Sequence, residues 1–163
     1  MAFMAWNDKL SLDIPAIDQD HKKLLVLAND LYDGIQSGES RAEIAGILVA
    51  LVHYTQFHFA REEEFFANTG YPDAVAHKRE HDEMVVWTLG AQARHKSGSL
   101  RAPSLEVMSF LKDWLYDHIL GSDHLYAAHL KAHGIADSAH DCETGQVLAG
   151  PAKPERVVLN LEE

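Results

Sequence analysis

The chain has a single cysteine, Cys142, in 163 residues. One thiol excludes an intramolecular disulfide framework and suits a reducing compartment, so the cytoplasm is the expected setting. Cations are scarce as well. Lys and Arg number 14 against 25 Asp and Glu, a formal net charge of −11. Nucleic-acid binding needs a basic footprint, and an acidic surface is repelled by anionic lipid. Neither is an expected partner. No apolar run is long enough to span a bilayer. The opening MAFMAWNDKLSLDIP has no basic n-region and no long apolar run, so neither membrane insertion nor a signal peptide is expected. No internal repeat or low-complexity tract stands out. Period-two alternation is missing too, and β-branched residues cluster only at the final VVLNLEE.

What remains is helical periodicity, on a chain of about one domain by length. The first helix is expected over about 18–37, with the stripe Leu24, Leu25, Ala28, Leu31 and Ile35 and with Gly38 as its stop. The second spans about 41–66, opened by the capping box Ser40/Glu43. Its stripe is Ile44, Ile47, Leu48, Leu51, Tyr54 and Phe65. The third runs from about 72 to 96, with Pro72 at its first position and the stripe Ala74, Met84, Val85 and Leu89. The fourth begins near Pro103 and reaches about His133, with the stripe Leu105, Met108, Leu111, Trp114, Leu115 and Ile119. Short connections make neighbours antiparallel. The expected fold is all-α, an up-down-up-down four-helix bundle over 1–133, with 1–17 as an N-terminal arm and 134–163 as a C-terminal tail.

Each apolar stripe carries polar residues that a core should exclude. They are His21 on the first helix, His58 and Glu62 on the second, His77 and His81 on the third, and His118 on the fourth. Burying an unpaired polar group costs roughly 2–7 kcal/mol. One such histidine is ordinarily a hydrogen-bonded core residue. Five from four helices, with a carboxylate one turn from His58, point to a metal. Asp123 is a seventh candidate. It lies five residues beyond His118, about 140° off that face on a regular helix. Gly121, or a π-bulge of the kind common at functional sites, could bring it round. Seven ligands are too many for one tetrahedral zinc. Two octahedral ions that share two carboxylates and a solvent oxygen would hold five imidazoles and keep one position open. That vacancy falls on the ion with two histidines and suits a small diatomic.

These residues lie in I-D-Q-D-H (17–21), H-F-A-R-E-E (58–63), Y-P-x4-H-x3-H (71–81) and W-L-x2-H-I-x3-D (114–123). In this order and spacing, over roughly residues 6–130, the chain resembles a bacterial hemerythrin. The resemblance implies reversible O2 binding at two Fe ions bridged by an oxo or hydroxo group. His77, His81 and His118 would bind one iron and His21 and His58 the other, with Glu62 and Asp123 bridging. It further implies a dry O2 pocket at Leu24, Phe59, Trp114, Ile119 and Tyr126. The expected role is O2 storage, delivery or sensing rather than catalysis, with an O2-consuming protein as possible recipient. A di-iron peroxidase, oxidase or nitric-oxide-handling enzyme is the alternative. The paired E-x-x-H motifs of ferritin-like enzymes are missing, since no histidine has a glutamate three residues before it. His77–His81 also reads as the inverzincin pattern H-x-x-E-H, but Glu80 is expected to face solvent. His129 and His133 are expected on the surface, His53 on the surface or behind a ligand. His95, His124 and His140 are expected to be incidental, and Cys142 a free thiol.

Overall fold

The computed structural model describes residues 2–99 and 105–134. The tail beyond Gly134, with His140 and Cys142, and the expected helix start near Pro103 lie outside the described residues. Helix α1 is Pro15–Ser37, α2 is Arg41–Thr69 and α3 is Ala74–Ser97. The fourth rod consists of α4 (Leu105–His118), a π-helical turn (Ile119–Asp123) and α5 (His124–Ala132). The described residues contain no strand.

Local chemistry sets the ends. Pro15 opens α1, where a missing N–H costs nothing. Asp18 in the first turn accepts from the Leu12 N–H and the Ser11 hydroxyl, so α1 starts earlier than expected. The capping box of Ser40 and Glu43 opens α2 as expected. Gly38, Gly70 and Gly98 end α1, α2 and α3 in the left-handed region. The first position of α3 is Ala74, behind Asp73 as N-cap, rather than Pro72. At the far end of that helix, Arg41, the first residue of α2, donates to the His95 and Lys96 carbonyls. The start of α2 therefore meets the end of α3, and the two run antiparallel.

The buried positions follow steps of three and four, the spacing of a bundle seam. On α1 they include Ile17, His21, Leu24, Ala28 and Leu31, and on α2 Leu48, Leu51, Thr55, His58, Glu62 and Phe66. On α3 they are His77, His81, Met84, Thr88, Ala91 and His95. Two stripe assignments are corrected. Leu89 is exposed, and Thr88 takes its inward place. Phe66 is buried where Phe65 was expected. His95 is not incidental. It is buried, and its Nε2 lies 2.9 Å from the Arg41 carbonyl.

Two apolar clusters fill the bundle. One contains Leu24, Leu51, Phe59, Met84, Leu111, Leu115 and Ile119. The other contains Leu12, Ile14, Ile17, Phe66, Tyr71, Tyr126 and Leu130. The N-terminal segment is bolted down rather than free. Asn29 exchanges two hydrogen bonds with the backbone of Met4, and Tyr116 does the same with Ala5. On every rod, the polar residues singled out above fall between the two clusters.

Candidate metal centre

All seven candidates meet there. His21, His58, Glu62, His77, His81, His118 and Asp123 are each at most 4% exposed. Each of the five histidines turns Nε2 toward a carboxylate. His21 Nε2 is 3.2 Å from Asp123 Oδ2, while His77 and His118 Nε2 lie 3.1 and 3.2 Å from Oδ1 of the same residue. Glu62 Oε2 faces His81 at 3.1 Å, His58 at 3.8 Å and His77 at 3.9 Å. The donors fall into two sets, Glu62 with His77, His81 and His118, and Glu62 with His21 and His58. Within each set the donor atoms lie within 4.8 Å of one another.

Asp123 reaches this place through the π turn, which removes the 140° discrepancy. The extra residue that it holds lets Asp123 stand inward after His118, where a regular helix would offer Ser122. A Cβ at Gly121 would meet nothing within 4 Å, so close packing there does not require glycine.

The electrostatics suit a cation. Short approaches notwithstanding, both oxygens of Glu62 and of Asp123, both ring nitrogens of His21 and Nε2 of His81 have no hydrogen-bond partner. Buried lone pairs without donors carry a desolvation cost of about 1–3 kcal/mol each. Burial pushes Glu62 well above the usual carboxylate range, and the Asp123 charge pushes it further. Burial works in the same direction on Asp123, but the facing imidazoles, His118 foremost, hold it well below. Burial lowers His58 to about 4 and drives His81 down further still, so both rings are kept neutral, the form that binds metal. A pair of cations would satisfy these orphaned donors together, so the residues fit a two-metal centre.

The fit is echoed among known proteins. The sequence profile of the Hemerythrin HHE cation binding domain matches residues 12–130. This chain belongs to the hemerythrin family. It is 36% identical over 133 residues to a bacteriohemerythrin of Stenotrophomonas maltophilia (strain R551-3), across 82% of this chain and 85% of that one. It is 31% identical over 153 residues to a bacteriohemerythrin of Pseudomonas aeruginosa (strain LESB58), across 94% and 97%. A crystal structure of wild-type hemerythrin matches with a TM-score of 0.74 at 33% identity, across 79% of this chain and 98% of that one. The hemerythrin four-helix bundle is thus the fold of this chain too.

The expected pocket residues divide. Leu24, Phe59 and Trp114 line one apolar cavity, together with Ala28, Leu51, Thr55, Met84, Leu111 and Leu115. Phe59 stacks on His81 with ring centroids 3.9 Å apart, and Trp114 on His118 at 4.5 Å. Ile119 is fully buried in the same apolar cluster but does not line that cavity. Tyr126 belongs to the opposite cluster, edge-on to Phe66 and His77. Its buried hydroxyl has no hydrogen-bond partner.

Sequence reasoning missed a layer of carboxylates behind the histidines. Glu80 does not simply face solvent. Its Oε2 lies 2.7 Å from His118 Nδ1 and accepts from the Ser122 hydroxyl. Glu63 Oε1 lies 3.2 Å from His81 Nδ1. Asp20 Oδ2 lies 3.6 Å from His58 Nδ1 and binds Arg61, while its Oδ1 accepts from Tyr54. Each adjoins a candidate ligand in sequence, and that adjacency was the available signal. Among the other histidines, His53 is exposed as expected. His129 is half-buried against Tyr71, with Nε2 3.2 Å from the Thr69 carbonyl, rather than free on the surface. His124 Nε2 lies 3.0 Å from the Lys9 carbonyl, where it ties down the N-terminal segment.

Proposed function

We propose that this protein binds O2 reversibly at a non-haem di-iron centre and acts as a carrier, store or sensor of O2 rather than as an enzyme. His77, His81 and His118 would hold one iron through Nε2, and His21 and His58 the other. Glu62 and Asp123 would bridge them, beside an oxo or hydroxo group. When bound, the iron pair supplies the two electrons that reversible O2 binding requires. The observation that carries the reading is the placement of Asp123, with one oxygen toward His21 and the other toward His77 and His118. A carboxylate so straddled between a two-histidine and a three-histidine set is suited to bridge unequal ions, one with a vacant position.

The remaining residues would keep the ligand safe. Leu24, Phe59 and Trp114 exclude water from the vacant side, and Ile119 seals the core next to His118. In so dry a place, the separation of charged products is costly, which favours the return of neutral O2. Tyr126 has a buried phenol free to donate toward the bridging carboxylates. Its hydroxyl is pushed up first by burial and then by Glu62 and Asp123, so it stays a proton-bearing donor. A reducing cytoplasm would keep the centre ready, and an O2-consuming protein would be a natural recipient. The histidine-rich donor set favours this reading over a di-iron peroxidase, oxidase or nitric-oxide-handling enzyme.

The test is to cycle the reduced, iron-loaded full chain between O2 and argon under an optical spectrometer. A ligand-to-metal band that appears under O2 and vanishes under argon over several cycles is expected. Irreversible oxidation at first contact would turn the reading toward redox enzymology.

A further inference from the structure

The carboxylates behind the histidines follow a rule. Asp20 of α1 backs His58 of α2, Glu63 of α2 backs His81 of α3, and Glu80 of α3 backs His118 of α4. In each case the carboxylate adjoins, in sequence, a metal-facing residue of its own helix: His21, Glu62 and His81. Adjacent residues on a helix differ by about 100°. When one points at the bundle axis, its neighbour points along the seam toward the next rod. The acid comes one residue before its partner on α1, one after on α2 and one before on α3. That alternation is what antiparallel helices need to keep a single rotational sense around the bundle.

Continued to the fourth rod, the rule would put an acid one residue after His118, backing His21. Ile119 stands there, fully buried, and Nδ1 of His21 has no hydrogen-bond partner. The ring of supports is closed at hydrogen-bond distance on two seams, approached at 3.6 Å on the seam of Asp20 and His58, and open at the fourth.

We propose that Glu63 and Glu80 are positioning residues, each fixing the ring tautomer and orientation of the histidine on the next helix, with Asp20 close to the same place behind His58. An Nδ1–H held by a carboxylate leaves Nε2 bare for a metal ion, and such partners raise ligand basicity. Two supported rings, His81 and His118, then serve one ion. Beside them His77 has an Nδ1 without a hydrogen-bond partner, and the other ion has His58, whose Nδ1 Asp20 approaches only to 3.6 Å, and the unsupported His21. The inference rests on the two-metal reading for its purpose, but its geometry can be tested without it.

The experiment uses the full chain in three forms: wild type, Glu80→Ala and Glu63→Ala. Long-range proton–nitrogen NMR on metal-free protein, at mildly alkaline pH where free imidazoles are neutral, reads each ring's tautomer. Zinc titration then reads affinity. In the wild type, His81 and His118 should carry the proton on Nδ1. Glu80→Ala should disturb His118 alone and Glu63→Ala His81 alone. Each should weaken zinc binding about 10- to 100-fold, with Glu80→Gln recovering part of the loss, because its amide oxygen still accepts. Nε2–H tautomers at His81 and His118 in the wild type would overturn the proposal. So would zinc binding and tautomers left unchanged in both alanine variants. If the wild type binds no metal, the di-iron reading falls, and the tautomers of the metal-free chain still decide the positioning role.

Discussion

Leu24 and His58 show what burial does at single positions. Leu24 is 3% exposed, one helical turn beyond His21, on the wall of the apolar cavity. A hydroxyl there could stabilise departing charge by about one hydrogen bond, roughly 1 kcal/mol, or somewhat under tenfold in rate. Leu24→Ser should therefore speed autoxidation of the O2-bound protein by about that factor. An unchanged decay of the optical band would remove Leu24 from the pocket. His58 has its pKa lowered from 6.5 to about 4, chiefly by burial. In metal-free protein, the unfolded chain gains this proton as pH falls through 6.5, but the folded chain only near 4. Stability present above 6.5 is lost across that window, about 3 kcal/mol from this group. The melting temperature of metal-free protein should fall from neutral pH toward 4, and His58→Gln should flatten that slope. The buried histidines of the candidate site were legible, because a histidine on an apolar stripe contradicts its surroundings. Asp20, Glu63 and Glu80 were not, because an acid beside a stripe looks like any solvated charge until the partner helix is known.

Among the elements, the π turn decides most. The sequence places Asp123 five residues past His118, and only an extra residue in the turn reconciles that with an inward carboxylate. Gly121→Ala should keep the metal, because its Cβ meets nothing within 4 Å. It should stabilise the chain by about 0.5–1 kcal/mol, a rise of a few degrees in melting temperature. One alanine inserted after Gly121 should instead turn Asp123 and α5 by roughly 100° and cost the protein metal, as elemental analysis would read. An insertion variant with full metal content would show that Asp123 is dispensable. Helix ends were legible from Gly38, Ser40 and Glu43. The misplaced Leu89 and Phe65 have different causes. At Leu89 apolar character was ranked above register, whereas counting by three and four from His81 leads to Thr88; at Phe65 the alternating register itself was followed, and the helix instead takes a second step of four from Glu62 to Phe66.

In the whole molecule, the centre is clamped between two apolar clusters, each with its own share of every rod. The metal-free chain should remain helical, held by both, but with seven buried polar residues lacking their cations. An ion at a thousandfold its Kd adds about 4 kcal/mol, which corresponds to about 10 °C in a chain of this size. Chelation should lower the melting temperature by at least that much and leave the far-ultraviolet spectrum helical. A melting temperature indifferent to chelation would mean that the cluster is structural. The bundle was legible from four stripes and three short connections. The bolting of the N-terminal segment was not, because it depends on long-range pairs such as Asn29 with Met4 and Tyr116 with Ala5.

The most direct test of the central claim is a count. The reduced, iron-loaded full chain is titrated with O2, iron is assayed on the same sample, and the O2 released under argon is measured. One O2 taken up per two irons and recovered nearly in full is the expected result. One iron per chain, or O2 consumed and not returned, would contradict it.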